Sequence, residues 1–310
     1  RGRRAEEYIS IKSRVSPLAW ETNYESRWVG GAQNCLIPIH MLMDMRQIEE
    51  PELFGDGEHD YYMGIDVARS DNPDQCFTSI EVLKVYRDKY KAVKQIDVVY
   101  LTNVKGTYDF ETQAVIIKKL QRNFQAKAVV LDANGVGMGL GDMLLKRTTD
   151  PKTGITYPAF DHVNWKDRKS NDPTAIRCLY NLKAQGINEK IIATFITTMQ
   201  SIVRLLVSKD LVTMNLSDDI FSCKELCYVQ TDMLIEEINN LKTVETGVFK
   251  KLTVETISPK WKKDRYSALA YVLYYLITED NLGQYEAEQE EADPDLIKML
   301  SNSFSTPRIR

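Results

Sequence analysis

The rhythm of apolar and polar positions changes near residue 60. Upstream, residues 1 to about 57 hold no steady alternation, and the stretch closes on the acidic, glycine-containing loop "EEPELFGDGEHD". Gly55 and Gly57 among acids read as a linker before a new domain. From residue 61, "YYMGIDVAR" reads as a strand, and "CFTSIEVLKVYR" and "KAVKQIDVVYLT" follow as two more, parted by the polar turn "DKY". Short connections between such runs predict a three-strand antiparallel meander. In "DFETQAVIIKKLQRNFQ" the positions Ala114, Ile117, Leu120 and Phe124 recur at helical spacing, with Asp109 as N-cap. "AKAVVLDAN" is almost wholly apolar between polar flanks, as in a strand buried on both faces.

Further on, a helix is predicted after "GVG", then short strands in "TYPAFDHVN" and "CLYNLKA". A long amphipathic helix is predicted over 187–210, a short strand at "LVTMNL", and helix over 217–242. "VFKKLTVETIS" reads as one half of a hairpin, and 231–258 as a hairpin or flap. "WKKDRYSALAYVLYYLITED" predicts a strong helix. From residue 281 the chain carries Glu286, Glu288, Glu290, Glu291, Asp293 and Asp295, the composition of a flexible acidic tail.

Composition narrows the function classes. The net charge of −4 leaves nucleic-acid binding to a local basic patch, not to the global field. No apolar run is long enough to span a membrane, and no signal peptide opens the chain. The chain begins Arg-Gly-Arg-Arg without Met, which reads as an excised or processed piece. Five scattered cysteines suit a reducing compartment. Cys223 and Cys227 are four apart but lack two further ligands for zinc, so buried thiols are expected. No phosphate-loop pattern occurs.

The chemistry concentrates in three acids. Asp66 lies within the first strand, just before its loop, and Asp132 ends the fourth. In a meander–helix–strand order these two strands commonly pair in parallel, which makes the carboxylates neighbours. Neighbouring carboxylates repel unless a cation sits between them. Asp264 opens a helix whose Ala268 and Tyr271 or Val272 follow on the core-facing side. Three acids at one sheet edge form an oxygen-rich site suited to Mg²⁺ or Mn²⁺.

"GIDVARSDNPDQC", "VVLDANGVGMGLGDML" and "KKDRYSALAYVLYYL" together resemble the motifs of the nuclease domain of tailed-bacteriophage terminase large subunits, the DNA-packaging motors. The resemblance covers roughly 59–280. It implies an α/β fold of the ribonuclease H-like kind, a mixed sheet of an antiparallel meander plus parallel strands flanked by helices. It divides the chain into 1–57, the linker and end of an ATPase domain, 58–280, the nuclease, and 281–310, the tail. It makes Asp66, Asp132 and Asp264 catalytic metal ligands, with Asp74 a secondary acid. Lys260, Lys262, Lys263 and Arg265 bracket Asp264 and are expected to hold a DNA phosphate. The implied cofactors are two Mg²⁺ or Mn²⁺ ions, one generating the attacking hydroxide and one stabilising the leaving 3′ oxygen, with Asp66 bridging both. No histidine lies near Asp264, where some relatives place one.

The resemblance further implies cutting of concatemeric viral double-stranded DNA during packaging. It implies a portal protein and a small terminase subunit as partners, and a homo-oligomeric ring when full-length. The expected place is the host cell cytoplasm at the procapsid portal, with no membrane partner. ATPase activity is expected only in the full-length protein. The alternatives are a junction resolvase or integrase-type nuclease of the same fold, an actin- or sugar-kinase-like ATPase, and a non-catalytic portal-binding module. The ATPase alternative needs two such domains, and one set of motifs is present.

Overall fold

A computed structural model describes residues 35–68, 77–165, 169–209, 223–246, 251–258 and 262–280. In chain order these form α1 (Ile39–Asp44), β1 (Arg46–Ile48), β2 (Asp60–Asp66), β3 (Phe77–Arg87), β4 (Val93–Lys105), α2 (Phe110–Phe124) and β5 (Ala128–Asp132). There follow α3 (Val136–Leu144), β6 (Thr148–Thr149), β7 (Thr156–Tyr157), β8 (Phe160–His162), β9 (Ile176–Leu182) and α4 (Asn188–Ile202). The last are β10 (Val203–Leu206), α5 (Cys223–Asn239), β11 (Leu241–Thr246), β12 (Lys251–Thr256), α6 (Asp264–Tyr274) and a π-helical turn, Tyr275–Asp280.

The main sheet has eight strands in the order β1-β10-β4-β3-β2-β5-β9-β8. β2, β3 and β4 pair antiparallel, the expected meander. β5 runs parallel to β2, β9 parallel to β5, and β8 parallel to β9. Three antiparallel strands followed by parallel ones, with helices on both faces, is the ribonuclease H-like arrangement. Asp109 caps α2 as its sequence suggests, accepting from the Thr112 amide at 2.7 Å.

Strand alternation decides what each face carries. Tyr61 meets Phe124 of α2, with ring centroids 5.6 Å apart. Tyr62, on the other face, meets Tyr275 beyond α6 at 6.2 Å. Gly64 and Asp66 share the parity of Tyr62 and face α6. At Gly64 a side chain has no room: an added Cβ would stand 2.2 Å from the Ala268 carbonyl and 2.7 Å from a Val272 methyl. This close approach seats α6 directly on β2.

The far edge of the sheet departs from the expected pattern. The helix predicted over 187–210 ends at Ile202, and Val203–Leu206 runs as a strand parallel to β4. Val203, Leu205 and Leu206 are buried, so pairing beside β4 covers side chains that a continued helix would leave on the surface. β1 then pairs with β10. The sheet therefore begins upstream of the boundary expected at 57, and Leu36, Ile37, Leu42 and Met45 belong to the same core. An ion pair between Arg46 and Asp232 ties β1 to α5.

The hairpin expected within 231–258 is present as β11–β12. It is fastened to α4, where the Leu252 amide donates to Glu189 at 2.9 Å. The strand expected at "LVTMNL", the residues before 35 and the acidic tail lie outside the described residues. Among the described residues, no helix is long and apolar enough to cross a membrane. Cys35, Cys178, Cys223 and Cys227 are free thiols.

The Gly64 contact yields a test. Gly64→Ala drives a methyl group into helix backbone, so we expect a loss of about 1–3 kcal/mol, as for other overpacked cores. Urea unfolding checks this. An unchanged midpoint would mean that α6 does not rest on β2 as described.

Candidate active site

The parallel register pairs Ile65 of β2 with Leu131 of β5. The next residue on each strand is a carboxylate, Asp66 and Asp132, and both face α6. Asp264 is the first residue of α6, one turn before the Ala268 that rests on Gly64. Two strand ends and one helix start thus bring the three predicted acids to one end of the sheet.

Their electrostatics report the convergence. Burial pushes the Asp66 carboxyl up to about 8, and the charges of Asp264 and Asp132 add to the shift. The Ser267 hydroxyl donates to Asp66, and Lys263 acts on it from a distance, both in the opposite sense. No described cation forms an ion pair with Asp66. Burial also raises Asp264, against Lys262, Arg265 and Lys263. Asp132 is raised by burial, against hydrogen bonds from the backbone amides of Asn134 and Ala184. Its carboxylate accepts from the Asn134 amide at 3.1 Å and side chain at 2.8 Å.

Hard carboxylate oxygens around an uncompensated buried acid suit a divalent cation. Among the described residues, no three His, Cys, Asp or Glu side chains stand close enough together to hold one ion. One oxygen of Asp132 accepts both Asn134 bonds. The donor set fits a hard cation in chemistry.

The glycines after Asp132 serve packing. A Cβ at Gly137 would stand 1.8 Å from the Asp132 carbonyl, and one at Gly139 would stand 2.5 Å from the Phe110 ring. Glycine therefore lets α3 start immediately beside the acid.

The four basic residues around Asp264 divide. Lys263 is exposed at the site, and Lys262 places its ammonium 5.1 Å from the Phe77 ring centroid. Lys260 and Asp74 lie outside the described residues. Arg265 is a correction: it is only 7% exposed and points inward, away from any polyanion. Its guanidinium pairs with Glu237 and donates to Gln230 at 2.9 Å. Glu237 also accepts from the backbone amides of Arg265 and Tyr266, at 2.9 and 3.2 Å. A carboxylate of α5 thereby caps α6 and fixes where Asp264 stands.

Three neighbours escaped the sequence reading. Ser267 bonds Asp66 directly. Tyr271, half-buried and raised by burial and by the charges of Asp66 and Asp132, sits two turns after Asp264. Helical spacing marks both, being three and seven residues from Asp264. Glu81 of β3 lies opposite Gly64, fully buried, with neither carboxylate oxygen hydrogen-bonded. Within an apolar strand it resembled any outward-facing acid, and only the register shows that it lies beneath α6.

The fold is ribonuclease H-like, with Asp66 and Asp132 at the ends of β2 and β5 and Asp264 at the start of α6. No family model matches the sequence, and no curated protein matches it. Among solved structures it is similar to the large terminase nuclease of thermophilic phage G20c with bound magnesium. That likeness has 16% identity and a TM-score of 0.48, over 78% of this chain and 97% of that one. It is also similar to the nuclease domain of the large terminase subunit of bacterial virus Sf6, a mutant with manganese and beta-thujaplicinol. There the identity is 9% and the TM-score 0.43, over 77% of this chain and 98% of that one. At such identity the likeness assigns no residue its role.

The raised Asp66 carboxyl predicts a pH dependence. In the unfolded chain it ionises near 4, and in the metal-free fold near 8. The folded state therefore holds the proton more tightly, so this stability is full at low pH and is lost as pH rises towards 8. In chelator, the urea midpoint should fall between pH 5 and pH 9, and Asp66→Asn should flatten much of that fall. An equal slope in both proteins would contradict the burial of Asp66 among like charges.

Proposed function

We propose that this chain is a metal-dependent endonuclease that cuts concatemeric viral double-stranded DNA during genome packaging. The single observation that supports this is the approach of Asp66, Asp132 and Asp264 at one sheet end, where the desolvated Asp66 carboxyl forms no ion pair with a cation among the described residues. Such a cluster is costly in the metal-free protein and gains its compensation from a bound cation.

Mg²⁺ or Mn²⁺ would be held by Asp66, Asp132 and Asp264, with Asp74 as a further acid. When bound, a pair of such ions supplies activation of water and stabilisation of the leaving oxygen in phosphodiester hydrolysis. The chain's own residues do the rest. Asp66, between the other two acids, takes the central place. Ser267 holds the Asp66 carboxylate in orientation through its hydroxyl. Glu237, by capping α6, keeps Asp264 at the cluster. Lys263, exposed beside the acids, steers and steadies the phosphate backbone. Lys262 and Lys260 extend that contact along the segment leading into α6. Tyr271 closes the inner side of the cluster and limits water there.

In this reading the substrate is duplex DNA, and portal protein and small terminase subunit are the packaging partners. The setting is the host cytoplasm at the procapsid portal, with a ring of copies and ATP turnover belonging to the full-length motor.

Asp132→Asn tests the proposal, because it keeps shape and removes charge. With Mn²⁺ or Mg²⁺ the parent chain should nick and linearise plasmid with little sequence preference, and chelator should stop it. The variant should lose about 10²-fold or more in rate, the scale of losing one electrostatic stabiliser, while its thermal stability without metal holds or rises. Cleavage that persists in chelator, or in the variant, would overturn the proposal.

A further inference from the structure

A cavity of about 750 Å³ opens at the other end of the strands from the carboxylates. It is bounded by the last turns of α2, the residues entering β5, and the starts of β8 and β9. Lys118, Arg122, Lys127 and Arg177 line it, and among the described residues no Asp or Glu does. Four cations at one opening stand out in a chain whose net charge is −4.

Three of these cations have local partners. Lys127 pairs at the rim with Asp60 at 2.7 Å, and Arg177 donates weakly to the Val163 carbonyl at 3.4 Å. Arg122 is exposed in the last turn of α2. Lys118 is the unusual one, at 1% exposure. Its ammonium donates to the Lys146 carbonyl and stands 5.5 Å from the Phe160 ring centroid. Asp172 is the acid that acts on it, but Asp172 is committed to Arg147 at 2.9 Å. Burial lowers the Lys118 ammonium to about 8, as expected for a cation taken out of water without a counter-charge. A buried charge held by one carbonyl and one ring is costly unless an anion completes it.

The cluster proposed for cleavage makes no use of this end of the sheet. Lys127 precedes β5 and Asp132 ends it, which separates the two by roughly 15 Å along the strand.

We propose that this cavity binds a phosphate-bearing small molecule of nucleotide size. Four cations lining one cavity suit phosphate, which accepts many donors at once, and arginine suits it by its forked geometry. The volume lies in the range of ordinary ligand sites and exceeds what a bare phosphate fills. Tyr157 and Phe160 give the cavity an apolar wall beside the cations. The proposal does not depend on the nuclease reading.

The test uses the full chain in chelator, so that nucleotide cannot enter through metal at the carboxylates. ATP, dAMP, inorganic phosphate and a short DNA duplex are titrated separately by calorimetry, with melting temperature as a second readout. A nucleotide should bind and raise the melting temperature, and inorganic phosphate should compete with it. Lys118→Met should weaken binding tenfold or more without lowering the melting temperature of the free protein, since it removes a buried charge. Arg177→Gln, an exposed substitution, should weaken binding in the same direction and serves if the first variant folds poorly. Asp66→Asn should leave nucleotide affinity unchanged. Absence of binding by phosphate and by both nucleotides would overturn the proposal. So would equal affinity in both cavity variants, or binding of duplex alone.

Discussion

Burial of the Asp66 carboxyl, with the charges of Asp264 and Asp132 acting on it, is the constraint on which this end of the sheet depends. Left alone, such a cluster would spread apart. It is held because the groups that carry the acids cannot move independently. Asp66 and Asp132 end two strands joined by parallel hydrogen bonds, and Asp264 starts a helix pressed onto the first of them. Burial first, and then the charges of Asp264 and Asp132, push the Asp66 carboxyl up to about 8.

The surrounding fold holds these groups in place. α6 is secured at its start by Glu237, which takes two backbone amides and the Arg265 guanidinium. Beyond its end, Asp280 receives Arg87 at 2.6 Å and the Tyr62 hydroxyl at 3.0 Å. Between these ties the contact at Gly64 leaves no slack. Similar reasoning applies at Asp132, where Gly137 lets α3 begin against the strand end. Rigidity of this kind keeps the two strand ends and the start of α6 together despite the burial of their carboxylates.

Much of this was legible in the sequence because it was written in local patterns. Alternation gave the meander, helical spacing gave α2 and α6, and the lone acid at the end of each apolar run gave Asp66 and Asp132. What the sequence hid was set by partners distant in the chain. Val203–Leu206 continues an amphipathic helical pattern, and only an open place beside β4 makes it a strand. Leu36 to Met45 look unpatterned because their cover comes from β10, α5 and β11, all far downstream. Arg265 looks like one more basic residue in "KWKKDR" until Glu237 turns it inward. Glu81 likewise needs the register opposite Gly64 before its burial is visible.

The claim that one cation-seeking cluster organises this end of the sheet is tested most directly by proton release on metal binding. The metal-free chain is titrated with Mn²⁺ by calorimetry near pH 6.5 in buffers of different ionisation enthalpy. A carboxyl protonated up to about 8 must give up its proton when a cation takes its place. The account predicts binding with close to one proton released per chain, a release that fades above pH 9 and disappears in Asp66→Asn. Mn²⁺ binding without proton release, or binding of equal strength in Asp66→Asn, would contradict it.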